Sequence, residues 1–157
     1  MKILLLSDSH GSDSVFYDAY DVEKPDMILF AGDGVRGMLE FRDCYLCPAV
    51  DTYIVCGNCD RDFRGDFYCS QTVALPGHRV YLTHGHVERV KEGLSLLASG
   101  AKLNQCDIAV YGHTHRPADL VKDGVRLINP GAAAAGFYGV LTLTAGSNGI
   151  DVEIKRI

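Results

Sequence analysis

Ile108-Ala109-Val110-Tyr111-Gly112-His113-Thr114-His115 is the stretch whose reading decides the fold of this chain. An apolar run closes at a glycine and gives way at once to two imidazoles spaced i and i+2. The start of the chain has a similar form, where Ile3-Leu4-Leu5-Leu6 runs into Asp8-Ser9-His10. Short apolar runs of this kind, closed by glycine or another turn residue, read as strands buried on both faces. In an extended tip, residues i and i+2 point to the same side. Asp8 with His10, and His113 with His115, are therefore each expected to aim two donors at one place.

Three further runs end the same way. Met27-Ile28-Leu29-Phe30-Ala31 breaks at Gly32-Asp33-Gly34, Tyr53-Ile54-Val55-Cys56 at Gly57-Asn58-Cys59-Asp60, and Val80-Tyr81-Leu82-Thr83 at His84-Gly85-His86. The carboxyl ends of buried strands are where α/β proteins gather ligands. Any one of these residues alone reads as a satisfied turn residue, but five such ends in one chain do not. Carboxylate oxygen with imidazole nitrogen, and no thiolate, suits Mn²⁺, Fe, Zn²⁺ or Co²⁺ better than Ca²⁺.

Taken in order, Asp8-Ser9-His10, Gly32-Asp33, Gly57-Asn58-Cys59-Asp60, His84 and Gly112-His113-Thr114-His115 resemble the blocks of the calcineurin-like metallophosphoesterases. Those blocks run Asp-x-His, Gly-Asp, Gly-Asn-His-Asp/Glu, His, and Gly-His-x-His. The short chain, the Thr83-His84-Gly85-His86 form and Ile128-Asn129-Pro130-Gly131 are similar to the small bacterial and archaeal phosphodiesterase branch, which the retromer's vacuolar sorting subunit also resembles. The resemblance runs from Asp8 to about Gly131.

That resemblance implies an α/β fold of two facing mixed β-sheets flanked by helices, with a metal pocket at one edge. It implies two divalent ions, Mn first, with Ni, Zn, Fe or Mg as alternatives. Asp8, His10 and His115 would hold one ion, Asn58, His84 and His113 the other, and Asp33 would bridge them. His86 stays open as the donor of its block and is otherwise assigned to substrate contact. Two ions so placed can trap a bridging hydroxide for in-line attack on phosphorus, so no activated Ser or Cys is required. They also neutralise the charge of a phosphodiester in its transition state.

Asn58, Cys59 and Asp60 are the expected catalytic block, and Cys59 is a departure from it. Most members of the family carry a His there, thought to bind phosphate or protonate the leaving group. Losing that acid should harm monoester hydrolysis more than cleavage of a diester with an activated leaving group. The expected activity is therefore a metal-dependent phosphodiesterase acting on a small phosphodiester. Arg36, Arg61, Arg64 and Arg116 stand close to these blocks and could reach a substrate phosphate. The plainer reading of each is an exposed loop arginine.

Two other classes of function compete. A binding scaffold that keeps the phosphoesterase fold without turnover should show non-ligands at ligand positions, whereas all seven positions here carry competent donors. Cys44-Tyr45-Leu46-Cys47 and Cys56-Gly57-Asn58-Cys59 could build a structural zinc site, but eight residues between the pairs is short of the usual spacing. Buried or isolated thiols are the expectation.

The 157 residues, 47% hydrophobic and 22% charged, fit one domain spanning residues 1–157. A net charge of −5 argues against an extended nucleic-acid surface. No apolar run reaches the roughly 18 residues of a membrane span, so no membrane insertion is expected. Six cysteines and an amino terminus that enters directly into a strand point to the cytoplasm. A homo-oligomer through an edge strand is compatible with the sequence. Helices are expected at about 13–22, stopped by Pro25, at about 35–44, and at about 88–103. A hairpin is expected from 138–144 and 150–157, turning at Ser147-Asn148-Gly149.

Overall fold

The computed structural model describes residues 1–144 and 149–157. Its strands are β1 (Lys2–Leu6), β2 (Met27–Phe30), β3 (Asp51–Ile54), β4 (Ser70–Leu75), β5 (His78–Thr83), β6 (Ile108–Val110), β7 (Ala118–Lys122), β8 (Val125–Asn129), β9 (Phe137–Leu143) and β10 (Ile150–Arg156). The α-helices are α1 (Ser14–Glu23), α2 (Val35–Cys44) and α3 (Ser95–Leu103). They form two five-stranded sheets, ordered β10-β9-β1-β2-β3 and β4-β5-β6-β8-β7. Within the first, β1, β2 and β3 are parallel, and within the second, β5, β6 and β8 are parallel. This is the expected pair of mixed sheets flanked by helices.

The strict two-residue alternation of a strand explains the layers. Ile3 and Leu5 of β1 face the second sheet and pack with Met27, Leu29, Val80, Leu82, Ile108 and Val110 in the core between the sheets. Leu4 and Leu6 face the other way, onto Phe16 of α1 and Met38 and Phe41 of α2. On the far side, Tyr81, Ala109 and Leu127 pack against Leu97 and Ala101 of α3. β1 and β2 are therefore apolar throughout because both of their faces are covered. No helix among the described residues is long and apolar enough to cross a membrane.

The first two helices lie within a residue of expectation. Lys24 ends α1 in the left-handed region (φ 47°) and donates its N–H to Tyr20 O. Pro25 follows.

The third helix is a correction, because only Ser95–Leu103 is helical and 88–94 is not. Glu88 is drawn inward, where its carboxylate accepts hydrogen bonds from the hydroxyls of Tyr81 (2.8 Å) and Thr83 (3.1 Å). Arg89 then takes a left-handed conformation (φ 54°), and Gly93 one that an L side chain rarely adopts (φ 158°). The buried polar contacts outweigh the helical spacing of Val90 and Leu94.

The closing hairpin pairs β9 with β10, but residues 147 and 148 of its expected turn lie outside the described residues. The β4 run and the β7–β8 hairpin were not anticipated. The latter turns on Asp123-Gly124, both with positive φ (52° and 80°), which is the chemistry of a tight hairpin turn.

Candidate metal centre

Parallel strands bring their carboxyl ends to one edge, so the segments following β1, β2, β3, β5 and β6 meet there. Backbone hydrogen bonds tie these tips together. Asp8 N–H donates to Gly32 O (2.9 Å), His10 N–H to Asp33 O (3.1 Å), and Gly112 N–H to His84 O (3.2 Å). Asp8 is fixed more tightly still, its Oδ2 accepting from Ser7 Oγ and from His113 N–H (3.0 Å).

The tips are not extended, contrary to the sequence reading. Asp8, His10, Asp33, His113 and His115 all have φ between 48° and 66°. Non-glycine residues are uncommon in this region, and their concentration here is backbone strain held by the surrounding fold. Asp8 and His10 still converge, with His10 Nε2 3.9 Å from Asp8 Oδ1. His113 and His115 part company. His115 Nε2 lies 3.2 Å from Asp8 Oδ1 and 3.2 Å from His10 Nε2, whereas the His113 ring lies 5.0 Å from that of His84.

Among the described residues, three groups of donors are close enough together to hold a divalent ion. One ligand atom from each member falls within 4.8 Å of the others in Asp8/His10/His115, in Asp8/Asp33/His84 and in His10/Asp33/Cys59. Asp8 Oδ1 is buried without any hydrogen-bond partner. A buried carboxylate oxygen without a hydrogen-bond donor, facing imidazole nitrogens, is an environment that a cation satisfies, so the residues fit the metal that the resemblance implies. The Asn58 side chain joins them, with Oδ1 3.2 Å from His84 Nε2.

The histidines are prepared differently. His84 is fully buried and donates Nδ1–H to Ala31 O (2.7 Å), which turns Nε2 towards Asp33 Oδ2 at 3.4 Å. Burial works against its charged form, but Asp33 and Asp8 together raise its pKa above the ordinary value. Burial likewise opposes ionisation of Asp33, yet His84 and the Cys59 N–H (2.7 Å) hold that carboxyl well below its usual range. Burial, followed by the charge on His84, pushes His113 down to about 4, leaving it neutral and able to ligate at neutral pH. The His86 ring lies 5.3 Å from His84 and 6.2 Å from His113, and its buried Nδ1 has no partner.

Asp60 is more deeply embedded than the expected catalytic block suggests. Its Oδ2 accepts from the N–H groups of Asp33 (2.7 Å) and Gly57 (2.8 Å), and its Oδ1 from those of Gly34 (2.9 Å) and Val35 (3.0 Å). With both oxygens engaged by backbone at the start of α2, it braces two ligand loops. Gly57 is required beside it, since a Cβ there would lie 2.0 Å from Asp33 Oδ1.

His10, Asp33 and Cys59 open onto a pocket of about 290 Å³ whose wall includes Arg36, Glu40, Arg61 and Phe63. Arg36 lies over the Phe63 ring (5.5 Å) and 3.6 Å from Asp62. Arg64 Nη2 instead donates to Asn58 O (3.3 Å). Arg116 faces a different pocket, with Val90, Lys91 and Thr114. The paired cysteine motifs do not come together as a four-thiol site among the described residues: Cys56 is buried beside Cys69 (Sγ to Sγ 3.6 Å), Cys59 lies at the centre, and Cys44 and Cys47 are exposed.

Sequence reasoning gave no role to Asn129. Its Nδ2 donates to Gly112 O (2.9 Å) and Thr114 Oγ1 (3.0 Å), and its Oδ1 accepts from Gly131 N–H, fixing the loop that carries His113 and His115. An Asn closing an apolar run just before Pro130-Gly131 was the available signal.

Two sheets, strand-end carboxylates and imidazoles, and a site fit for divalent ions define a metallophosphoesterase fold. The calcineurin-like phosphoesterase superfamily domain matches residues 1–145, and the chain belongs to that superfamily. It is 32% identical over 136 residues to the probable metallophosphoesterase YsnB of Bacillus subtilis, covering 84% of this chain and 75% of that protein. It is 39% identical over 64 residues to the phosphodiesterase YfcE of Escherichia coli, covering 41% of this chain and 31% of that protein. A predicted phosphoesterase from Streptococcus pneumoniae superposes with a TM-score of 0.76 at 24% identity, over 99% of this chain and 88% of that one. Vacuolar protein sorting 29 from Cryptosporidium parvum does so with a TM-score of 0.72 at 19% identity, over 99% and 97%. The last two likenesses are of fold.

Proposed function

We propose that this protein is a divalent-metal-dependent phosphodiesterase acting on a small phosphodiester. The observation that carries the reading is Asp8 Oδ1, buried without a hydrogen-bond partner and 3.2 Å from His115 Nε2, at the meeting point of five strand ends. Asp8, His10 and His115 would hold one ion, Asn58, His84 and His113 a second, and Asp33, which stands in two donor groups, would serve both. Such an ion pair, Mn²⁺ first among the candidates, would supply Lewis acidity and an activated water for in-line displacement at phosphorus.

The chain's own groups supply the rest. Arg36 and Arg61 on the pocket wall give a phosphate positive partners, Arg36 held in place by the Phe63 ring. Asp60 positions the loops bearing Asp33 and Asn58 through four backbone N–H groups. His86, beside His84 and His113, offers a further contact to substrate oxygen. At Cys59 there is no imidazole to protonate a leaving group, which supports a diester with an activated leaving group over a monoester. The phosphodiesterase relative agrees with that preference.

The test is an assay of metal-stripped protein on a chromogenic phosphodiester and the matching monoester, with Mn²⁺, Ni²⁺, Zn²⁺ or Mg²⁺ restored singly. Diester hydrolysis that returns with metal and exceeds monoester hydrolysis is expected. Silence with every metal, although ions bind, would overturn the enzymatic reading in favour of a binding scaffold.

A further inference from the structure

Cys59 stands where the resemblance leads one to expect an imidazole, and its thiol faces metal-binding donors. One ligand atom each from His10, Asp33 and Cys59 lies within 4.8 Å of the others. That group shares His10 with the Asp8/His10/His115 set and Asp33 with the Asp8/Asp33/His84 set. The sulfur therefore adjoins both. The argument for a cation in this space does not depend on the sulfur, because the Asp8 side chain is 0% exposed and its Oδ1, faced by the imidazoles of His10 and His115, has no hydrogen-bond partner.

Asn58 ties the sulfur to the same group of donors. Its Nδ2 donates to Cys59 Sγ at 3.2 Å while its Oδ1 faces His84 Nε2 at 3.2 Å. One amide thus turns its oxygen to an imidazole and its N–H to the sulfur, while burial and the Asp33 and Asp60 carboxylates hold the free thiol above its ordinary pKa, so that only a bound cation would draw the proton off.

We propose that Cys59 is a thiolate ligand of the metal centre, an inference that rests on the metal-dependent reading above. As the ion binds, the S–H bond breaks, the proton leaves to solvent, and a sulfur lone pair forms the bond to the ion with no change in oxidation state. The donor set becomes nitrogen, oxygen and sulfur, which replaces the thiolate-free set expected from the sequence. A soft donor shifts preference towards Zn²⁺ or Co²⁺ and away from Mg²⁺.

The experiment is a Co²⁺ titration of the metal-free protein, read by absorption. Wild type is expected to show visible d–d bands together with an intense near-ultraviolet sulfur-to-cobalt charge-transfer band. Cys59→Ser and Cys59→Ala should keep the d–d bands, lose the near-ultraviolet band, release about one proton fewer per chain on loading, and bind Zn²⁺ about tenfold more weakly. The exposed thiols are controlled with a Cys44→Ser/Cys47→Ser background. Visible bands in wild type without the charge-transfer band, or a band that survives loss of Cys59, would overturn the assignment and leave the metal centre standing. Failure of wild type to bind Co²⁺ at all would overturn both readings.

Discussion

The Asp60 carboxylate accepts the backbone N–H of Asp33 at 2.7 Å, joining two positions 27 residues apart. Three more N–H groups, from Gly34, Val35 and Gly57, complete its coordination. A buried carboxylate so placed both starts α2 and sets the height of the Asp33 and Asn58 loops.

Asp60→Ala would strand four donors, each worth about 1–3 kcal/mol if left buried and unsatisfied. With water reaching some of them, a loss of about 3 kcal/mol in urea unfolding is expected, with reduced metal stoichiometry. Asp60→Asn, which keeps one acceptor oxygen, should lose less. Equal stability of Asp60→Ala and wild type would contradict the bracing role.

Gly57→Ala tests the same loop from another side. The added methyl would sit 2.0 Å from Asp33 Oδ1 and 2.7 Å from its backbone nitrogen. Metal content measured by elemental analysis should fall together with diesterase activity. Retention of wild-type metal content would show that the loop can yield.

The pH dependence follows from His84 and Asp33 in the metal-free protein. Raising the pKa of His84 in the folded state adds stability that is present below its ordinary 6.5 and is lost as pH rises through the raised folded value. Lowering the pKa of Asp33 adds stability that is present above 3.8 and is lost as pH falls through the depressed value. For this pair, the chelated protein should therefore melt highest between 3.8 and 6.5. The gain in melting temperature from added metal should grow as pH rises past 6.5, because a ligand must be deprotonated. A metal-induced gain that does not change with pH would count against His84 as a ligand.

Arg36→Ala/Arg61→Ala bears on substrate binding. If both side chains contact the phosphate, KM for a chromogenic diester should rise about tenfold, corresponding to about 1.4 kcal/mol. Metal content should be unchanged. A KM within experimental error of wild type would return both to ordinary surface arginines.

Glu88→Ala should cost about 1–3 kcal/mol, because the hydroxyls of Tyr81 and Thr83 lose their buried acceptor. Chemical denaturation would measure it. Since Glu88 lies two residues beyond His86, a shift in the His86 ring resonance is expected as well.

Much of this fold was legible because β1 and β2 are apolar on both faces, so their ends stand out sharply against Asp8 and Asp33. The pairing of the two sheets was not, since nothing in Ile3 or Val80 alone specifies which runs share a layer; the resemblance supplied it. Residues 88–94 misled because Val90 and Leu94 do pack inward at helical spacing, while the bonds that bend the chain come from Glu88 to Tyr81 and Thr83 on β5. At the centre, residue types and order could be read from the sequence. The left-handed backbone that separates His113 from His115 could not, because it is imposed by contacts between tips such as His113 N–H to Asp8 Oδ2. Asp60 was placed beside the chemistry by its position next to Cys59, but its four backbone donors are visible only once the loops are folded.

The two sheets contribute to this centre from different halves of the chain. Asp8 and Asp33 follow strands of one, while His84, His113 and His115 follow strands of the other. During synthesis, the Asp8/His10/His115 group cannot be complete until the ribosome has passed residue 115, and β1 waits longer still for β9 at Phe137–Leu143. A chain cut short before residue 84 could keep His10, Asp33 and Cys59 but neither of the groups that include Asp8.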